Sequence, residues 1–177
     1  MRVNKILIRK ATLQDAKALA LLGAQSFYES YRYPHNPQDM DAYLKKHFHQ
    51  EGITKDILNK DIACLVATVN EDIVGFTKLI TKGKSPRFDR KLKLIEMKRL
   101  YVRRDMIGKK IGLTLMEAAL DFSHKENADV IWLSVWENND KAISFYEKFG
   151  FAKLGEGTFS LGETKRTYIV MEKEMSS

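Results

Sequence analysis

Residues 101–112 read YVRRDMIGKKIG and lead straight into LTLMEAALDF, which has the spacing of an amphipathic helix. Arg103, Arg104, Lys109 and Lys110, with Gly108 and Gly112, are thus gathered where an apolar strand gives way to a helix. A turn alone asks for one or two glycines and gains nothing from like charges that repel. The first N–H groups of a helix have no partner inside it, and the aligned peptide dipoles leave partial positive charge there. Phosphate oxygens take up such donors directly, and glycine lets the backbone come close because no Cβ stands in the way. The chemistry these residues predict is the binding of a phosphorylated ligand, with the four basic side chains adding charge around the rim. The stretch is neither the G-x-x-x-x-G-K-[ST] of a P-loop nor a G-x-G-x-x-G dinucleotide fingerprint. A solvated strand-to-helix turn is the plainer reading of the same residues.

The charge distribution sharpens this. The chain carries a formal +7, but Lys82–Lys110 alone holds twelve Lys or Arg against Asp89, Glu96 and Asp105, a net +9, so the remainder is slightly acidic. A local basic field suits an anionic partner: a phosphorylated cofactor, nucleic acid or a membrane surface. Other chemistries find little support. Cys64, inside IACLVATV, reads as a buried strand residue with no histidine nearby in sequence to activate it. His47 and His49, two apart on an expected helix, point to different faces and make a poor metal pair, so no metal is expected. Trp132 and Trp136 share one face of a strand and read as core or pocket wall rather than as a base-stacking platform.

The elements that must position these residues follow from pattern. At 177 residues, 44% hydrophobic and 30% charged, the chain is sized for one globular domain, 1–177. No window approaches the run of apolar residues a membrane span needs; with one cysteine and no apolar leader, a cytoplasmic protein is expected. KILIRKA reads as a first strand and Thr12 with Asp15 as a helix start. RYPHNPQDM is a break, after which Asn36 and Pro37 open a second helix. A short helix is expected at KDILNK, then a hairpin of IACLVATV and IVGFTKLIT, and KGKSPRFDRK as a polar loop. LKLIEMKRLYV, the helix after Gly112, VIWLSVW and the helix KAISFYEKF follow, and FAKLGEGTF and KRTYIVMEKE close the chain across LGET. The expected class is α/β (α+β): one domain with a mixed, mostly antiparallel central sheet flanked by helices.

The strand, the turn, the helix, the next strand and then NNDKAISFYEKFGF, in that order, resemble the GNAT superfamily of acetyl-CoA-dependent N-acetyltransferases. There the turn is typically Gln/Arg-x-x-Gly-x-Gly; here it is IGKKIG, with Ile107 in place of Gln or Arg and Lys110 in place of Gly. Backbone donors survive a change of side chain, so the departures bear on the backbone path at Lys110. More narrowly, SFYESYRYPHNPQDMDAYLKKHF, WLSVWENNDKAISFYEKFGF and GEGTFSLGETKRTYIVMEKEM are similar to the bacterial PaiA-type spermidine/spermine N-acetyltransferases.

The resemblance implies acetyl transfer from acetyl-CoA to a primary amine, most closely a polyamine. It implies an acceptor side built from helices within 12–60, a cofactor-binding core over 92–151 and closing strands over 151–175. Ile107, Gly108, Lys109, Lys110, Ile111, Gly112 and Leu113 would form the cofactor's phosphate turn, and main-chain groups of Leu100, Tyr101 and Val102 would meet the pantetheine and the oxyanion. Asn139 and Lys148 would contact its pantetheine and nucleotide portions. Tyr146 stands where the family's general acid stands, and Glu96, six residues before Val102, where many members carry a catalytic glutamate. Strand alternation predicts that Glu96, Lys98, Leu100 and Val102 share a face. A polycationic acceptor needs carboxylates to offset the +7 charge, and Glu29, Asp39, Asp41 and Glu137 are the candidates. The rivals are another amine, on a protein, an amino sugar or a drug-like molecule, and a nucleic-acid-binding regulator, for which no recognition helix is evident. A homodimer is left open, and no membrane partner is expected.

Overall fold

The protein is described here by a computed structural model covering residues 5–32, 36–83 and 91–175. Part of the expected RYPHNPQDM break and most of the KGKSPRFDRK loop lie outside them. β1 (Leu7–Lys10) leads to Thr12, whose N–H and hydroxyl both donate to Asp15, at 2.7 and 3.1 Å, while Arg9 grips the same carboxylate at 2.7 and 3.0 Å. A short 3-10 turn then runs into α1 (Ala16–Tyr31). Asn36 accepts the Gln38 N–H at 2.9 Å with Pro37 in the first turn of α2 (Pro37–His47), as the sequence predicts. The expected short helix at KDILNK begins earlier, as α3 (Gln50–Leu58), because the His49 ring nitrogen caps it by accepting the Gly52 N–H at 3.1 Å. His47 and His49 therefore stand on either side of a helix break rather than on one helix.

The remaining elements are β2 (Ile62–Val69), β3 (Asp72–Ile80), β4 (Leu94–Val102), α4 (Ile111–Lys125), β5 (Val130–Trp136), α5 (Asp140–Lys148), β6 (Ala152–Leu161) and β7 (Thr164–Glu174). The strands form one sheet in the order β1-β2-β3-β4-β5-β7-β6, antiparallel throughout except for β4 against β5. That pair is joined by α4, the crossover a parallel pair requires. The mixed, mostly antiparallel sheet flanked by helices is the expected architecture.

The core lies on both faces. On one, α4 and α5 bury Met116, Ala119 and Ile143 against Leu79, Met97, Ile131, Leu133 and Met171. On the other, α1 and α3 bury Leu19, Ala20 and Ile53 against Val66 and Phe76. Beside that second cluster Phe27, Met40, Phe48 and Leu161 join α1 and α2 to the end of β6.

One irregularity reassigns side chains. The β3–β4 register runs Ile80↔Glu96, Leu79↔Met97, then Lys78↔Arg99, Thr77↔Leu100 and Phe76↔Tyr101, so Lys98 is an extra residue in a β-bulge. A bulge of one residue inverts the alternation beyond it. The expectation that Glu96, Lys98, Leu100 and Val102 share a face is therefore corrected. Glu96 shares its face with Arg99 and Tyr101, toward α1–α3, whereas Met97, Leu100 and Val102 face α4.

Candidate active site

β4 and β5 are in register only over Leu94↔Val130, Ile95↔Ile131 and Glu96↔Trp132. Beyond these β4 continues beside β3 to Val102, and β5 continues beside β7 to Trp136. The two strands diverge, and the edge of β4 that would have met β5 is left without a strand. Backbone polar groups need partners wherever they are removed from water, so this edge is a built-in place for an extended ligand with amide groups of its own. A cavity of about 700 Å³ opens there, lined by Leu100, Tyr101 and Val102 on one wall and by Asn139, Ala142, Phe145 and Tyr146 on the other.

The head of α4 closes one end of this cavity. Gly108 has φ +84°, and a Cβ there would meet nothing within 4 Å, so conformation rather than space calls for glycine. Lys110, immediately before the helix, adopts φ 65° and ψ 4°, the left-handed conformation that the family's usual glycine would take for less. The turn takes this path despite the Lys110 side chain, with the adjoining N–H groups opening the helix. Ile107, Gly108, Lys110, Ile111, Gly112 and Leu113 all line the cavity, together with Arg104 and Met106.

The opposite wall belongs to α5. The Asn139 side chain caps this helix by accepting the Ala142 N–H at 3.2 Å, which leaves its two amide donors for other partners. Two turns on, Tyr146 is half-buried against Phe145 and Phe151, at ring separations of 5.6 and 5.9 Å. Burial pushes its phenol well above the ordinary tyrosine value, with the nearby Tyr31 adding to the effect. It holds its proton throughout the neutral range.

Among the expected site residues, the structure brings Leu100, Tyr101, Val102, the turn from Ile107 to Leu113 save Lys109, Asn139 and Tyr146 to one cavity, and Glu29 joins them from α1. Lys109 turns instead to the Met106 sulfur at 3.6 Å and a neighbouring groove, and Arg103 is held by Asp105 at 2.7 and 3.0 Å. Lys148, at the end of α5, is exposed and does not line the cavity. Glu96 is buried and lies outside the cavity wall, its carboxylate taken by the Lys98 ammonium at 3.0 Å. Asp39 rests against the β6–β7 turn at Gly162, Asp41 pairs with Lys45 at 2.7 Å, and Glu137 is exposed beyond β5. Ser26, Ser30, Arg32 and Lys141 also line the cavity and were not singled out from sequence. Ser26, Glu29 and Ser30 follow the three- and four-residue spacing of one helix face, a signal that was available but unmarked. Among the described residues no cluster of metal-ligating side chains occurs, and no helix is long and apolar enough to cross a membrane.

Residues 22–151 match the acetyltransferase (GNAT) family. The chain belongs to that family. As a GNAT acetyltransferase it moves an acetyl group from acetyl-CoA to an amine. It is similar over nearly its whole length to the spermidine N(1)-acetyltransferase of Thermoplasma acidophilum, 26% identical across 96% of this chain and 98% of that protein. A probable spermine N(1)-acetyltransferase of Bacillus subtilis subsp. natto is 32% identical over 59% of the chain and 64% of its own length. In fold, this GNAT domain matches the PaiA N-acetyltransferase of Thermoplasma acidophilum solved in complex with coenzyme A, at a TM-score of 0.76 and 24% identity over 96% of this chain and 99% of that one.

Proposed function

We propose that the acetyl group is delivered in the cavity between β4 and α5, with the amine approaching from the α1–α2 side, and that the amine belongs to a polyamine such as spermidine or spermine. One observation carries the reading: the open edge of β4, the left-handed turn at the head of α4 and the Tyr146 phenol meet in a single cavity. The residues fit acetyl-CoA. Backbone donors around Gly108–Gly112, with Arg104 and Lys110, would hold its phosphates; the edge of Leu100–Val102 and the Asn139 amide would hold its pantetheine. When bound, acetyl-CoA supplies the acetyl group as an activated thioester.

The chain's residues then have separable tasks. Main-chain N–H groups on the open β4 edge stabilise negative charge on a carbonyl oxygen placed beside them. Tyr146 keeps a proton at its hydroxyl and can deliver it to a departing thiolate, whose own affinity for a proton is that of a thiol, about 8.5. Glu29 is the one carboxylate among the described residues of the cavity wall, and it would orient an ammonium. An alkylamine starts out protonated, near 10.4, and must lose that proton before attack. Glu96 lies outside the cavity wall, with Lys98 on its Oε1 at 3.0 Å, and would accept that proton through water.

The polyamine acceptor is supported by the two relatives named for spermidine and spermine. The test is thiol release from acetyl-CoA over a panel of spermidine, spermine, putrescine, lysine peptides and an aminoglycoside, with Tyr146→Phe and Glu96→Gln in parallel. Turnover concentrated on spermidine and spermine is expected. Turnover on peptides or sugars alone would remove the polyamine and leave the chemistry.

A further inference from the structure

The acceptor side of the sheet carries an arrangement that an acetyl donor does not use. Arg166 on β7 lies over the Trp136 ring of β5, its guanidinium carbon 5.3 Å from the ring centre. Its Nε and Nη2 are sealed from solvent without a hydrogen-bond partner among the described residues, and so is the indole N–H of Trp136. Buried donors without acceptors are costly, and more so when charged. Nε and Nη2 form one edge of the guanidinium, the edge that meets two oxygens of one carboxylate in parallel. This protein shows that use elsewhere: Arg103 holds both oxygens of Asp105 through the same two nitrogens, at 2.7 and 3.0 Å. At Arg166 the same edge is formed, with no acceptor on it among the described residues.

The corner lies beside the reaction site. Tyr31, at the end of α1, packs on Trp136 at 5.6 Å and on Phe159 edge-on at 6.5 Å, and Phe159 is the cross-strand neighbour of Arg166. Tyr31 is also near enough to Tyr146 to raise its phenol. On the other flank of the same aromatic cluster, Arg99 sits over Phe48 at 4.3 Å, with Nη2 on the His47 carbonyl and Nη1 buried without a partner among the described residues. No protein carboxylate is paired with either guanidinium among the described residues.

We infer that the corner formed by Arg166, Trp136 and Tyr31 is an oxyanion site for the acceptor, so that amines that also carry a carboxylate or phosphate are accepted beside polyamines. This rests on the acetyl-transfer reading above and adds a second class of acceptor to the polyamine proposed there. The donors are closed off from solvent, so the acceptor reaches them only when that cover shifts. The amine is then held toward Tyr146 while its anionic end is held by the Arg166 fork, with the Trp136 N–H as a third donor.

The test compares two acceptors with the same five-methylene spacer, 6-aminohexanoate and 1,5-diaminopentane, with O-phosphoethanolamine separating phosphate from carboxylate and spermidine as reference. The wild type is expected to acetylate the anionic amines as well as spermidine. Arg166→Gln is expected to raise their KM about 10- to 100-fold, as loss of a charge-assisted hydrogen bond implies, with little change in kcat or in the KM for acetyl-CoA; Arg166→Lys should recover part of the loss. Failure to acetylate the anionic amines, or turnover of them that is indifferent to Arg166→Gln, would overturn the oxyanion corner and leave acetyl transfer standing. If no amine is acetylated, the acetyl-transfer reading fails and tryptophan fluorescence decides the corner alone. A saturable change with 6-aminohexanoate that disappears in Arg166→Gln, which keeps both tryptophans, would uphold it, and no change would sink it.

Discussion

The Thr77 hydroxyl donates to the Arg99 carbonyl at 2.8 Å, and Thr77 is completely buried. The bond sits beside the β4 bulge, where the extra Lys98 leaves the ladder irregular, and it fixes the stretch of β4 that lines the cavity. Thr77→Val keeps the shape and removes a donor to this carbonyl, at a cost of about 1 kcal/mol or more. A lower Tm is expected, by roughly 2–10 °C for a chain of this size, together with weaker acetyl-CoA binding. An unchanged Tm would mean that the bulge is held by its side-chain packing alone.

Tyr146→Phe deletes the hydroxyl and leaves the ring against Phe145 and Phe151. A general acid contributes about 10²-fold or more, so kcat should fall by that order while the KM for acetyl-CoA changes little. If kcat stays within a factor of two, the proton reaches the thiolate by another route.

Lys110 allows charge and backbone conformation to be separated. Both Lys110→Ala and Lys110→Gly remove the ammonium, and both should weaken acetyl-CoA binding more at low salt than at high salt. Only the alanine still has a Cβ in the left-handed conformation at φ 65°, a strain of about 1–2 kcal/mol. The glycine variant should therefore be the more stable of the two in urea unfolding. Equal stabilities would place the cost of this turn elsewhere.

Glu29→Gln tests the one carboxylate on the described cavity wall. If an ammonium of the acceptor rests on it, the acceptor KM should rise about tenfold or more, while acetyl-CoA binding holds. A variant with wild-type kinetics would leave the amine without a carboxylate partner on α1.

Acid stability should depend on Asp15. The hydrogen bonds from Arg9, helped by the Thr12 N–H and hydroxyl, hold its carboxyl at about 2, below the ordinary 3.8. The folded value lies below the unfolded one, so the stabilisation is complete above about pH 4 and is lost as the pH falls toward 2. Urea midpoints measured from pH 6 to pH 2 should therefore converge between the wild type and Asp15→Asn as the acid range is entered. A constant gap at all pH values would show that the pair matters only for packing.

Much of this was legible from local chemistry. β5 was read as VIWLSVW and spans Val130–Trp136, because a short apolar run between turn residues leaves little freedom. Asn36 and Pro37 open α2 as expected, since a cap acts within three residues of itself. The turn from Ile107 to Gly112 was readable for the same reason. What escaped depends on partners distant in sequence. The bulge that turns Glu96 away from Leu100 and Val102 is a property of the β3–β4 register, invisible in β4 alone. The start of α3 was missed because its cap is a histidine, outside the residues that usually serve. The Arg166–Trp136 corner joins residues 30 positions apart across β5 and β7, and nothing in either neighbourhood announces it.

The short register between β4 and β5 divides the sheet into two slabs. One, β1 to β4, is seamed to the other, β5 to β7, by three residue pairs, whereas the β5–β7 seam runs to seven. Over the rest of the boundary the slabs are tied through the helices packed beneath them. If acetyl-CoA bonds along the open edge of β4 against α5 as proposed, it completes the missing seam and its occupancy becomes part of the domain's cohesion. Loading should slow amide exchange at residues 97–102 and 133–136 far from any phosphate contact, and a loaded enzyme should unfold as one body where the empty one begins to part along this line.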